Sequence, residues 1–211
     1  MKVLLVNGSP HKEGCTYTAL SEVAETLQKE GIETEFFWIG NKPIGGCIGC
    51  GACRKQGLDH CVFGGDAVTE FQAKVTAEHY DGFIFGSPVH FGGAAGSMAS
   101  FLDRVFYCCR EPFYLKPAGL VISARRAGTT ATWDQLNKYF GLLQMPIITS
   151  QYWNMVHGNH PEEVRQDAEG MQTMRTLGRN MAWFLKCREA GEKAGVPMPE
   201  REATIHTNFI R

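Results

Sequence analysis

Four cysteines, Cys47-x2-Cys50-x2-Cys53-x7-Cys61, are concentrated in one glycine-rich stretch with Gly45, Gly46, Gly49 and Gly51. Four thiolates at this spacing suit a 4Fe-4S cubane. Such a core needs sulfurs wrapped around a compact centre, and glycine lets backbone N–H groups approach them and moderate their charge. Zinc fits the pattern less well, because three cysteines in x2 succession do not form the usual pair of separated knuckles. A loop of this composition that binds no metal is the third alternative. A disulfide framework would be unusual here, because Met1 leads straight into the strand-like Lys2 to Val6 without a signal-peptide layout, and the chain reads as cytoplasmic. The remaining cysteines are Cys15, Cys108, Cys109 and Cys187. Cys108 and Cys109 read as buried apolar side chains at a helix end.

Three further stretches carry groups able to hold a ligand. The first, from Asn7 to Thr18, contains Gly8, Ser9, Pro10, Cys15, Thr16 and Thr18 and leads directly into a helical pattern. Free N–H groups at a helix start, joined by the hydroxyls of Ser9, Thr16 and Thr18, suit a phosphate. The stretch lacks both the G-x-G-x-x-G and the G-K-[ST] spacing, and a simple strand-to-helix turn with a capping Thr is the competing reading. The second stretch is Gly86-Ser87-Pro88-Val89-His90-Phe91-Gly92-Gly93, in which glycines allow close backbone approach and Val89, His90 and Phe91 offer a wall for a flat ring. The third, Ser123 to Thr130, sets Arg125 and Arg126 before Gly128 and Thr129, a basic-glycine-hydroxyl pattern suited to an anion or to the charge on a reduced ring, with a solvated basic pair on a loop as the competing reading. His90 and Arg125 are the candidates for managing protons and charge. Tyr152, Trp153, Asn154 and His157 gather in a later aromatic loop that lines a substrate face or plugs the sheet end.

Positioning these loops requires alternating strands and helices. Strands are expected at Lys2 to Asn7, Ile32 to Ile39, Asp81 to Phe85, Lys116 to Ser123 and Pro146 to Thr149. Helices are expected over Thr16 to Glu30, Asp66 to Ala77, Gly96 to Cys109, Thr132 to Leu143 and, as one long element, Glu162 to Ala190. Residues 40–65 form a long cysteine-rich loop between them. The alternation predicts one doubly wound α/β domain over residues 1–190, with a surface tail over 191–211. Ligands then belong at the carboxyl ends of the strands, where all three stretches lie.

The chain has 211 residues, 21 Lys plus Arg against 22 Asp plus Glu and a formal net charge of -1. That balance removes the electrostatic basis for bulk nucleic-acid binding. No apolar run has the ~20 residues that a membrane span needs.

Gly8-Ser9-Pro10 leading to Thr16, the Gly86 to Gly92 stretch, and Phe101-Leu102-Asp103-Arg104 occur in matching order. Together they resemble the flavodoxin-like NAD(P)H-dependent FMN reductases, especially their iron-sulfur flavoprotein branch. The cysteine spacing is similar to that branch's compact motif. The resemblance implies a three-layer flavodoxin-like sandwich with five parallel strands in the order 2-1-3-4-5, bound FMN, NAD(P)H as co-substrate, and a homodimer or homotetramer. It also implies phosphate contacts from Ser9, Thr16 and Thr18, a place for Cys15 in the cofactor site, and ring contacts from Pro88, Val89, His90, Phe91, Gly92 and Gly93. Ser123, Arg125, Gly128 and Thr129 would lie at the other edge of the ring. His90 stands where tyrosine is commoner in the family. The implied activity passes electrons from NAD(P)H through flavin to a quinone, an azo or nitro compound, free flavin or a redox protein. The alternative is an electron-transfer module fed by a ferredoxin-like donor.

Overall fold

Strand β1 (Lys2–Asn7) has side chains buried on both faces, which places it mid-sheet. Leu4 and Val6 enter one core while Val3 and Leu5 enter the other, as expected of a parallel strand covered by helices on both sides. The computed structural model describes residues 1–207 and 209. β1 pairs in parallel with β2 (Glu33–Trp38) on one edge and with β3 (Gly82–His90) on the other. Outward from β3 lie β5 (Ala118–Ala124) and β6 (Met155–His157), giving the order β2-β1-β3-β5-β6. A two-residue strand, β4 (Gly93–Ala94), folds back antiparallel on β3. The five parallel strands follow the expected flavodoxin-like order, and β4 is the sixth strand of the sheet.

Helices α1 (Cys15–Lys29) and α7 (Ala168–Lys193) cover one face over an aliphatic core of Leu20, Val23, Ile84 and Leu177. Gly178 makes this contact close, since a methyl there would meet the Thr26 Cβ at 2.8 Å. The other face carries α3 (Ala67–Ala77), α4 (Gly96–Cys108) and α5 (Thr129–Leu142) over an aromatic core. There Phe71, Phe83, Phe106 and Phe113 meet with centroid separations as short as 4.8 Å. Such tilted and edge-on pairs suit the ring quadrupoles.

Three expectations need correction. The last strand lies at Met155–His157, not at 146–149, where Ile147 makes only an isolated bridge to Ala118. Beyond this bridge the chain turns towards α7, where the Ser150 hydroxyl donates to the Thr173 carbonyl and the Gln151 amide to the Thr173 hydroxyl. It returns when the Asn154 carbonyl accepts from Ile122 N–H. The long terminal helix is in fact two, α6 (Pro161–Gln166) and α7, broken at Asp167. The Asp167 carboxylate accepts from Gly170 N–H at 2.9 Å and caps α7, a local alternative that outcompetes helix continuation. The third strand also runs on to His90, where a loop was expected after Phe85, because β5 and β4 pair its extension. The 40–65 loop contains a single helical turn, α2 (Ala52–Lys55). α7 runs to Lys193, so the tail expected from 191 is helical over its first three residues, and from 194 the chain is exposed as far as it is described; residues 208, 210 and 211 lie outside the described residues.

Candidate functional site

Strand register brings the ligand-type loops to one level. Asn7 lies opposite Gly86, and Pro88 lies opposite Ser123. Gly8 and Gly86 hold the first two loops together: Gly8 N–H donates to the Gly86 carbonyl at 2.8 Å, and a Cβ on Gly8 would meet that oxygen at 2.7 Å. Gly128, at φ +96°, sits so close to Gly92 that a methyl would lie 2.7 Å from the Gly92 Cα. The loops after β1, β3 and β5 thus form one rim at the switch point of the sheet.

The first loop is braced from within. The Asn7 carboxamide accepts from Ser9 N–H and donates to the Lys12 carbonyl, while Trp38 at the end of β2 donates from Nε1 to the Ser9 carbonyl at 2.8 Å. Among the described residues no side chain caps α1, and its first free N–H groups, on Cys15, Thr16 and Tyr17, stand at the loop. Helix starts without caps are ready anion sites. The Ser9 hydroxyl accepts from His11 N–H. Thr18 donates to the Gly14 carbonyl within α1. Buried Thr16 and Ser123 share one hydrogen bond of 2.8 Å between their hydroxyls, so one hydroxyl hydrogen of the pair is left for a ligand. The Cys15 thiol points at the Gly158 carbonyl, and burial is the main cause that raises its pKa. These features fit a phosphate group such as that of FMN.

The second loop is a tight hairpin. Phe91 and Gly92 both have positive φ, at 50° and 78°, the signature of a two-residue type I′ connection. The Phe91 side chain is fully exposed and packs on nothing within the chain, where the sequence led us to expect a wall. Gln135 secures the hairpin by accepting from Ala94 N–H. Pro88 and Val89 are half-buried, and His90 and Arg125 are exposed at the rim, with Gly93 and Gly128 partly covered and Thr129 buried. A backbone-lined, glycine-rich edge of this kind fits a flavin ring.

A second site lies at the far end of α4. Cys47, Cys50, Cys53 and Cys61 line one pocket together with Ile48, Phe63, Tyr107 and Cys108. Among the described residues no three His, Cys, Asp or Glu side chains converge on a single-ion position. The four cysteines nevertheless share the lining of that one pocket. Cys53 is buried and Cys61 half-buried, whereas Cys47 and Cys50 are exposed on a turn whose Gly49 and Gly51 both have φ +66°. The backbone N–H of Cys61 donates to the Gln72 Oε1 at 2.9 Å, and the Gln72 amide donates to the Cys108 sulfur at 3.2 Å. Burial pushes the Cys108 thiol up to about 12. The sequence marked neither Gln72 nor Trp38, and it read Cys108 as simple core; Asn7, just before a Gly-Ser-Pro turn, carried the one local signal that could have been used.

A flavodoxin-like α/β protein, with a phosphate-type loop at the switch point and a cysteine pocket beside it, is the class that fold and site define. Residues 1–160 match the family described as NADPH-dependent FMN reductase. An iron-sulfur flavoprotein of Methanocaldococcus jannaschii is 33% identical over 195 residues, covering 88% of this chain and 98% of that protein. One from Methanosarcina thermophila is 28% identical over 191 residues, covering 88% and 96%. Among solved structures, RosB with bound 8-demethyl-8-formylriboflavin-5'-phosphate superposes with a TM-score of 0.68 at 15% identity, covering 100% of this chain and 94% of RosB. The chain belongs to the NADPH-dependent FMN reductase family, within its iron-sulfur flavoprotein branch, and is a flavin oxidoreductase.

Proposed function

We propose that the chain is a two-centre cytoplasmic oxidoreductase, with FMN across the strand-end loops and a 4Fe-4S cluster on Cys47, Cys50, Cys53 and Cys61. NAD(P)H is the electron source, and the acceptor is a quinone, an azo or nitro compound, free flavin or a redox protein. The observation that carries this reading is α4, which begins at the ring-side hairpin and ends in the cysteine pocket. From Gly96 to Arg104 the separation along the helix is about 12 Å at ~1.5 Å per residue.

FMN supplies hydride acceptance and one-electron release, and the cluster supplies one-electron transfer. The chain contributes position and charge. The Cys15, Thr16 and Tyr17 N–H groups, with the Ser9 and Thr16 hydroxyls, hold the phosphate, while the expected Thr18 hydroxyl is taken up by the Gly14 carbonyl; Pro88 to Gly93, Ser123, Gly128 and Thr129 border the ring. His90 and Arg125 manage proton and charge at the open rim. Exposed Phe91, Tyr152 and Trp153 support assembly as a homodimer or homotetramer, which light scattering behind size exclusion tests.

Exposure of Cys47 and Cys50 favours a second reading, in which a ferredoxin-like donor loads the cluster directly. Anaerobic stopped-flow mixing separates the two. Bleaching of the flavin by NADH or NADPH supports the reductase, and bleaching by reduced ferredoxin alone supports the module. Iron, sulfide and flavin analysis of anaerobically purified protein tests both centres, and a colourless protein that FMN does not reconstitute overturns the whole proposal.

A further inference from the structure

Arg104 is a charged side chain only 4% exposed, in the wall of the cysteine pocket. Burying a guanidinium is costly unless every donor is answered. Here all five are. Nε donates to the Cys61 sulfur at 3.4 Å, Nη1 to Asp66 and to the Gly45 carbonyl, and Nη2 to the Phe63 carbonyl and to Asp66. Gly45 lies before the first cysteine, and Phe63 and Asp66 lie after the last. One planar fork therefore ties both ends of the cysteine loop to α4.

A loop clamp alone would need only oxygen partners. Nε meets a sulfur instead, and a neutral thiol is a weak acceptor whereas a thiolate is a strong one. Gln72 fixes the same residue from its backbone side. Cys61 is thus the arm of the pocket held in place in advance, while Cys47 and Cys50 stay exposed. We propose that Arg104 is a positioning residue for the cluster: it fixes the Cys61 sulfur, and its charge, set against that of Asp66, sets the cluster's reduction equilibrium. The inference rests on the cluster reading above.

Its sign is fixed by charge. Reduction adds a negative charge to the core, so a nearby cation favours it and a nearby anion opposes it. Arg104→Gln therefore lowers the one-electron reduction constant of the cluster by about tenfold, equivalent to about 59 mV, and speeds iron loss to a chelator. Asp66→Asn shifts the constant the other way. Asp66 also caps α3 by accepting from Val68 and Thr69 N–H, and Asn caps as well as Asp, so this variant keeps the cap while leaving one Arg104 donor without its carboxylate oxygen, and its folding is checked by circular dichroism before the constant is read.

Anaerobic spectroelectrochemistry of the cluster bands in wild type and both variants is the test. Opposite shifts establish the inference. Unchanged constants in folded, iron-loaded variants, or shifts of the same sign, overturn it and leave the cluster reading intact. If Arg104→Gln does not fold, Asp66→Asn decides alone, and a constant that stays level or falls overturns the inference. A wild-type protein that takes up no iron and sulfide overturns the cluster reading and this inference with it.

Discussion

A methyl group at position 128 would meet the Gly92 Cα and the Val89 Cγ1 at 2.7 Å, on a backbone with φ +96°. Both facts penalise any side chain, so Gly128→Ala is expected to cost about 2–4 kcal/mol of stability. Because the same contact joins two rims of the ring site, FMN affinity falls by at least about tenfold, or ~1.4 kcal/mol. Urea unfolding and flavin titration measure the two effects separately. Thr16 poses a different question. Its hydroxyl is the partner of Ser123, and both are buried, so Thr16→Val strands a polar atom and costs about 1–3 kcal/mol. Removing both hydroxyls with Thr16→Val and Ser123→Ala is expected to cost less than the sum of the single changes, which a double-mutant cycle in urea reads directly. At this scale the sequence showed cysteines, hydroxyls and glycines because their chemistry is local. Arg104 was visible within a family motif, but its contact with Cys61 joins residues far apart in the chain and depends on the fold.

Elements are held at the opposite end of the sheet by charge. Lys2 on β1 pairs with Glu35 on β2 at 2.6 Å and with Glu78, just past α3, at 3.2 Å, and Lys74 on α3 pairs with the same two carboxylates. Tyr80 donates to Glu35 and Glu78. Lys74, then Tyr80 and Lys2, hold the Glu78 carboxyl down to about 2 from an ordinary 4.5. Burial opposes ionisation of Glu35, yet hydrogen bonds from Lys2, Lys74 and Tyr80 keep it below its ordinary value. Carboxyls lowered in the folded state contribute stability that is present above their unfolded value and is lost as pH falls through the folded one. Stability should therefore decline from about pH 4.5 towards pH 2, and Lys74→Met should flatten that decline, as urea midpoints across this window will show. If the variant and wild type fall in parallel, the network contributes nothing. Helices and central strands were legible because their apolar periodicity is continuous. The edge strand and the break at Asp167 were not, since each involves side-chain bonds to a distant or flanking backbone, Ser150 to Thr173 in one case and Asp167 to Gly170 and His157 in the other.

Across the whole molecule, the flavin rim and the cysteine pocket share α4 but no lining residue. The rim is built from strand ends locked to each other through Gly8, Gly86, Gly92 and Gly128. The pocket instead hangs on a loop pinned by Arg104 and Gln72. Ligand binding to one should therefore stabilise the fold almost independently of the other. Free FMN at about 100 times its dissociation constant adds about 2.7 kcal/mol. For a chain of this size that raises Tm by roughly 5–11 °C, at ~2–4 °C per kcal/mol. Anaerobic chelation of iron should then bleach the cluster bands, leave the FMN affinity within about threefold, ~0.65 kcal/mol, and preserve the FMN-dependent rise in Tm. Scanning calorimetry and flavin titration before and after iron removal check this. Release of FMN together with iron would show that the two centres form one cooperative unit, with α4 transmitting the loss of the pocket to the hairpin at its start.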